Sequence, residues 1–414
     1  MKTDKQTFLF FPIEVGLAHV TRSLAIGEEL KRRGHHVFFA LPKEKQKLFQ
    51  QSSVSFVDVM TTLTGESILF LDDFKKSEFV YSRMKDELRV IDEIKPHKII
   101  VDFRISALGA AAARNIKTYT IFEGSALPYG GFIPNPGFPK IMFSPMSKIA
   151  LLLFNRLKNS FLKPLLEVSR KFGNTMDLDA WYKSVTYILP ESSFYLPSKN
   201  KKITAYYVGP WGWSGFRKYS PSWLSKIKPD GKTIYLTFGG TGFDSVKLVQ
   251  IANLLIKNNY RVVISTGTIC EPSVFPKHPN LFVAKFLNGE EVSQLVDLVV
   301  CHAGYGTLMQ AVCAEKPAVS IPFNPDQVIH GWRSQELGMG QCILRLGIDN
   351  VIDLLSMDFG TIENIGKKLD PKKVLSAVKH IFARYPEYVQ AIRRFNALGP
   401  TQDGAVGAAD VIEK

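Results

Sequence analysis

Short apolar runs alternate along the chain with longer segments whose apolar residues recur every three or four positions. In the first half the runs are TFLFFPI, HHVFFA, VSFVDV, KIIVDF and TYTIFE. Such runs, interleaved with amphipathic helices, predict strands buried on both faces, as in a parallel sheet. Between the first two, HVTRSLAIGEELKRRG places Val20, Leu24, Ile26 and Leu30 along a helix that Gly34 ends. The second half repeats the scheme with TIYLTF, RVVIST, LFVAKF, LVDLVVCH and PAVSIPF, and with helices such as DSVKLVQIANLLIKNN between them. Residues 206–231 break the pattern with proline, glycine and aromatic side chains, which marks a linker. The expected organisation is two facing doubly wound α/β domains, 1–205 and 232–399, joined by 206–231. Residues 400–414 follow a break at Pro400 and predict a C-terminal helix packing near the interface of the domains.

A length of 414 residues fits two domains, since one core rarely serves more than about 200. No apolar run reaches the ~20 residues that span a bilayer. The opening MKTDKQTFLFFPI lacks a small-residue cleavage site and reads as a first strand, so a cytoplasmic location is expected. Cys270, Cys301, Cys313 and Cys342 form no CxxC pair and lie in or beside apolar segments, which predicts buried, reduced thiols without disulfide or zinc. The histidines include no HExxH, and no metal site is expected.

The net charge of +14 admits nucleic acid, an anionic membrane surface or a phosphorylated substrate as partner. No nucleic-acid recognition motif or basic aromatic ribbon occurs, and nucleic acid is set aside. The excess lies in residues 1–205, which carry +10 against +4 for the remainder. From Phe138 to Thr175 seven basic residues face one acidic residue, Glu167. There Ile149, Leu152, Leu153, Leu157 and Phe161 recur mostly at helical spacing. The stretch reads either as a basic amphipathic helix that touches a membrane or as the wall of a cleft.

Two such domains invite a test for nucleotide motifs. TFGGTGFDS, residues 237–245, lacks a third glycine at dinucleotide spacing, and the next strand ends in Ser265 and Thr266 where a ribose carboxylate is expected. No GxxxxGK[ST] is present. CHAGYGTLMQAV, from Cys301 to Val312, is more informative. His302 to Thr307 form a turn between a strand's carboxyl end and a helix start, the place where open α/β sheets bind ligands. Gly304 and Gly306 admit a ligand to the backbone, and His302 and Thr307 add hydrogen-bonding groups, a combination that fits a diphosphate. Thr237, Gly239 and Gly240 end another strand, and Asp326 and Gln327 follow a third, so three polar turns share one edge.

These residues carry a resemblance. CHAGYGTLMQAVCAEKPAVSIPFNPDQ is similar to the donor signature of family 1 (UDP-glycosyltransferase-like) glycosyltransferases of GT-B fold. GLAHVTRSLAIGEELKRRGHHVFFA, IIVDF, YYVGP and DGAVGAADVIE extend the likeness over nearly the whole chain. It implies two Rossmann-like domains with an interdomain cleft, acceptor in the first and donor in the second. It further implies that His302 contacts the α-phosphate, with Gly304, Gly306, Thr307, Thr237 and Gly240 around the diphosphate. Asp326 and Gln327 would hold the sugar, and the nucleobase would lie against backbone near Phe286 and Leu287. Gln310 stands where many relatives carry an acidic residue for the ribose, and Ala18 where a glycine is common.

His19 opens the first helix after the first strand. A lone histidine there is by default a solvated or capping residue. A strand's carboxyl end, a helix N-terminus that keeps the ring neutral, and Asp102 at the end of KIIVD favour a general base oriented by a carboxylate. The resemblance assigns the matching residues these roles. It implies an inverting, metal-independent transfer of a hexose-type sugar from a UDP- or dTDP-sugar, a substrate rather than a cofactor, and the apolar, basic stretch in the acceptor half makes an apolar hydroxyl-bearing small molecule or lipid the expected acceptor. Peripheral contact at the inner membrane face is the accompanying expectation. The competing readings are a nucleotide-sugar 2-epimerase and a non-catalytic sugar-nucleotide binder. Arg22 reads as a surface residue or a phosphate contact, Glu123 as an acceptor-pocket or bland residue, and His35 and His36 as structural.

Overall fold

The computed structural model describes residues 4–14, 18–62, 73–74, 76–124, 127, 162–197, 201–212, 220–239, 244–323, 325–343, 369–399 and 403–414. They fall into two units, one holding the described residues up to 212 together with 403–414, the other residues 220–399.

The first unit is built on seven parallel strands: β1 (Thr7–Pro12), β2 (His36–Ala40), β3 (Ser55–Val57), β4 (Lys98–Asp102), β5 (Lys117–Ile121), β6 (Thr186–Leu189) and β7 (Thr204–Tyr207). Their order is β3-β2-β1-β4-β5-β6-β7, so the winding reverses between β1 and β4. Register pairs Pro12 with Asp102, and Asp102 with Ile121, which brings three carboxyl ends level. Phe8, Leu9, Phe10 and Phe11 are all fully buried, because helices cover both faces. Each such side chain contributes roughly 1.5–3 kcal/mol of burial. Phe10 stacks on Phe39 of β2 at 4.5 Å. The covering helices include α1 (Ala18–Arg32), α2 (Ser77–Ile94) and α3 (Ile105–Ala113). α1 buries Val20, Leu24, Ile26, Gly27 and Leu30, carries Lys31 and Arg32 in its last turn where the dipole favours cations, and ends at Gly34 with φ +98°.

The second unit holds β8 (Thr233–Thr237), β9 (Arg261–Ser265), β10 (Leu281–Ala284), β11 (Leu298–Cys301), β12 (Ala318–Ser320) and β13 (Gly340–Cys342), in the order β10-β9-β8-β11-β12-β13, again parallel. Here the reversal lies between β8 and β11. Thr237 is level with Ser265 and Cys301, and Cys301 with Ser320. α4 (Ser245–Lys257), α5 (Gly289–Leu295), α6 (Tyr305–Cys313), α7 (Pro325–Glu336), α8 (Pro371–Ala383) and α9 (Tyr385–Leu398) complete it.

The C-terminal helix α10 (Gly404–Glu413) belongs to the first unit, against α1. Arg33 Nη1 reaches Asp410 at 2.7 Å and Glu413 at 2.5 Å. The Gln6 N–H donates to His35 Nδ1 at 3.2 Å, so Nε2 carries the proton that it gives to Glu413 at 2.7 Å. Lys98 Nζ donates to the carbonyls of Ile412 and Glu413. His35 and Lys98 are thus structural.

Several expectations need correction. The stretch expected to open the linker starts inside β7, which runs through Tyr207. β6, β7 and β13 were not foreseen. Only Cys301 is fully buried; Cys313 closes α6 on its solvent side and is exposed. The part of the basic stretch before residue 162 lies outside the described residues, as does Gly240; residues 162–171 are helical.

Candidate active site

In the first unit the site forms where the winding reverses. β1 delivers the chain to α1, whose second residue is His19, and β4 ends on Asp102. His19 Nδ1 lies 2.7 Å from Asp102 Oδ1; the carboxylate is fully enclosed, while the imidazole keeps a quarter of its surface open. Asp102 also accepts from Arg22 Nε at 2.5 Å, Arg22 Nη2 at 2.6 Å and Ser23 Oγ at 3.3 Å. Burial pushes this carboxyl up, but Arg22 and His19 together hold it below the ordinary aspartate range. It is an anion at neutral pH.

The chain reaches this arrangement through an unusual residue. Phe103, directly after Asp102, has φ +59°, a conformation costly for an aromatic side chain. A bridge between Pro12 and Phe103 and the Ile13 N–H donating to the Asp102 carbonyl at 2.8 Å hold it there. Its ring lies against His19, centroids 5.6 Å apart and planes 24° apart. The imidazole is therefore fixed by a hydrogen bond in its plane and by an aromatic face beside it.

Arg22 is neither a surface residue nor poised for a phosphate. It grips Asp102 with two nitrogens and turns Nη1 toward Glu123 Oε1 at 3.6 Å. Glu123, after β5, is thereby placed beside the pair. The Trp211 indole N–H donates to the Arg22 carbonyl at 2.8 Å, fixing this turn of α1. Sequence reasoning missed Arg22, Ser23 and Phe103. A signal existed for the first two: they lie three and four residues after His19, on one helix face.

In the second unit the reversal places Thr237 at the end of β8 and His302 just after β11. Gly239, with φ +64°, and Gly304 flank the imidazole; a Cβ at Gly304 would stand 2.5 Å from Nε2, and one at Gly239 3.2 Å from Cε1. These glycines seat His302. The left-handed turn itself is taken by Ala303, φ +65°, not by a glycine. Burial pushes His302 down to about 4, against the opposing pull of the Thr237 backbone, so its ring is neutral.

Gly304 caps α6 without a side chain, and the first helical bond is Leu308 N–H to Gly304 at 3.1 Å. The N–H groups of Tyr305, Gly306 and Thr307 have no intrahelical acceptor, and a Cβ at Gly306 would meet nothing within 4 Å. That end of the helix suits an anion. Gln310, one turn on, leans over Gly289 at the start of α5, where any Cβ would collide with its Oε1. Phe286, exposed, and Leu287 follow β10 and precede Asn288, whose side chain caps α5 through the Glu290 and Glu291 N–H groups. Asp326 lies 3.3 Å from the buried His330 one turn along α7. The neighbouring Gln327 is buried, and its Oε1 accepts from the Phe323 N–H at 2.8 Å, so that oxygen braces the turn. Thr237, His302, Gly304, Gly306 and Thr307 thus gather at one edge, with Gln310 one helical turn away.

A model of the Glycosyltransferase family 28 C-terminal domain matches residues 233–333. A PGL/p-HBAD biosynthesis rhamnosyltransferase of Mycobacterium bovis is 26% identical over 94% of this chain and 83% of that protein. An NDP-glycosyltransferase of Bacillus subtilis is 24% identical over 78% of this chain and 81% of its own length. Among solved structures, the glycotransferase of kitacinnamycin superposes with a TM-score of 0.70 at 16% identity, covering 99% of each chain. The spinosyn rhamnosyltransferase does so with a TM-score of 0.65 at 13% identity, covering 99% of this chain and 100% of that one. On its motifs, its two doubly wound sheets and these relatives, the chain is a glycosyltransferase of GT-B fold, similar to the family 1-like group.

Proposed function

We propose that the protein transfers a hexose-type sugar from a UDP- or dTDP-sugar to a hydroxyl of an apolar small molecule or lipid, with inversion and without a metal. The observation that carries the reading is the His19–Asp102 pair, 2.7 Å apart, at the first sheet's reversal point. With Nδ1–H donated to Asp102, His19 presents the Nε2 lone pair and takes the acceptor's proton. The oxygen attacks the anomeric carbon, and the nucleoside diphosphate departs from the opposite face. Its charge is met by the N–H groups of α6, His302 and Thr307. Gln310 receives the ribose and Asp326 with Gln327 the sugar.

The M. bovis relative and the spinosyn enzyme are both named rhamnosyltransferases, and the latter has been solved with the spinosyn aglycone. A 6-deoxyhexose is accordingly the first donor sugar to test, and a polyketide- or terpenoid-like alcohol the first acceptor. The basic stretch Phe138–Thr175 supports a reversible contact with an anionic membrane as the route to a lipid acceptor.

The test is product analysis with a labelled donor in EDTA. A glycoside of inverted configuration supports the reading; a released epimer, or activity that returns only with a divalent ion, overturns it. His19→Ala should lose ~10²–10⁴ in turnover. Donor affinity should stay within a few-fold, since the donor residues lie on the other unit. Wild-type turnover in that variant would remove His19 as the base.

A further inference from the structure

A buried carboxylate needs a countercharge, and in a bare His–Asp pair the histidine supplies it by taking a proton. A base so protonated cannot accept another. Here Asp102 has a second cation. Arg22 binds both of its oxygens, at 2.5 and 2.6 Å, in a bidentate grip, and Ser23 Oγ completes the set. Arg22 Nη2 also stands 3.1 Å from His19 Nδ1, so an imidazolium would face a guanidinium at contact distance. The charged groups around His19 are Asp102 from β4 and Arg22 from α1, with Glu123 and Glu191, after β5 and β6, acting on Arg22 from its far side. Phe103, against the imidazole face, is uncharged.

We propose that Arg22 is a positioning residue that serves as the permanent counter-ion of Asp102, so that His19 stays neutral with Nδ1 as donor and Nε2 as acceptor. The inference rests on His19 being the base. It gives Arg22 a task distinct from holding the fold: without it the enclosed Asp102 charge draws a proton onto His19, and the acid side of the transfer reaction suffers first.

The test follows His19 by NMR titration of its ring, assigned by its loss in His19→Ala, alongside the pH–rate profile. In Arg22→Gln the protonation midpoint of His19 should rise by ~1 unit or more over wild type. The loss of kcat/KM should then be ~10-fold larger at low pH than above neutrality. Arg22→Lys, which keeps the charge but reaches fewer carboxylate oxygens, should retain the wild-type midpoint while losing turnover. If Arg22→Gln fails to fold, the comparison is made within Asp102→Asn: with no carboxylate left to neutralise, removing Arg22 there should leave the midpoint nearly where it is, and a rise of the same size would overturn the proposal. In Arg22→Gln alone, a midpoint that stays put, with equal losses at every pH, overturns the proposal and leaves Arg22 a structural residue. A midpoint that moves while the rate profile does not upholds the charge relation and instead removes His19 as the base.

Discussion

His302 is held in its neutral form because its half-buried place between Gly239 and Gly304 strips much of the water that would hydrate its charged form. That has a price in acid. Its folded value of about 4 lies below the ordinary 6.5, so protons bind the unfolded chain more readily. The stability this group contributes is complete above pH ~6.5 and drains away as pH falls toward 4. At most about 3 kcal/mol is involved, less for the part of the ring that remains hydrated. His302→Gln should flatten that portion of the Tm-against-pH curve; an unchanged slope would show that other groups set it. The residues that could be read from the sequence, His19, Asp102, His302 and Thr307, are those that local strand-end and helix-start signals mark. Arg22 shares a helix face with His19, but its partner was not legible, because a helix arginine is usually at the surface and only the fold shows that this face turns to Asp102. Nor could Phe103: its left-handed backbone carries no glycine or asparagine to announce it.

The long central strands were legible as apolar runs, whereas β6, β7 and β13 were not. TYIL and TAYY are four residues each, and β7, at a sheet edge, buries none of its residues fully. β13 is GQC, which no propensity favours. It pairs with β12 nonetheless, and Gly340 shows why: a Cβ there would collide with the Ala318 carbonyl. The close approach of two backbones, rather than side-chain packing, sets this edge. Gly340→Ala should therefore destabilise the second unit by about 1–3 kcal/mol, read as a lower unfolding midpoint in urea. A neutral result would mean that β13 can move away from β12 at little cost.

For the molecule as a whole, charge is the property that the fold does not consume. Ion pairs such as Arg114–Asp92 and Arg393–Glu315 use up exposed cations locally, yet the net charge is +14, mostly from residues 1–205. Among the described residues no helix is long and apolar enough to cross a membrane. Attraction to anionic lipid of ~1 kcal/mol per basic residue would act through the local balance of +6 between Phe138 and Thr175. The protein should sediment with anionic liposomes at low salt and not with neutral ones, and be released at high salt. Failure to bind either kind would leave that stretch as a cleft wall.

The position of α10 sets an order in time. Its residues are made after every other described element, yet they cover α1 and satisfy Arg33, His35 and Lys98 in the unit whose strands precede those of the second. During synthesis those groups wait, and Ala408, Ala409 and Ile412 are not yet there to fill their places in the core. Every described strand and helix of the second unit, between 220 and 399, is made before α10. The unit that holds His19 thus has its strands early and its last described helix late, and its nascent form offers chaperones and proteases an opening that closes only as residues 403–414 arrive.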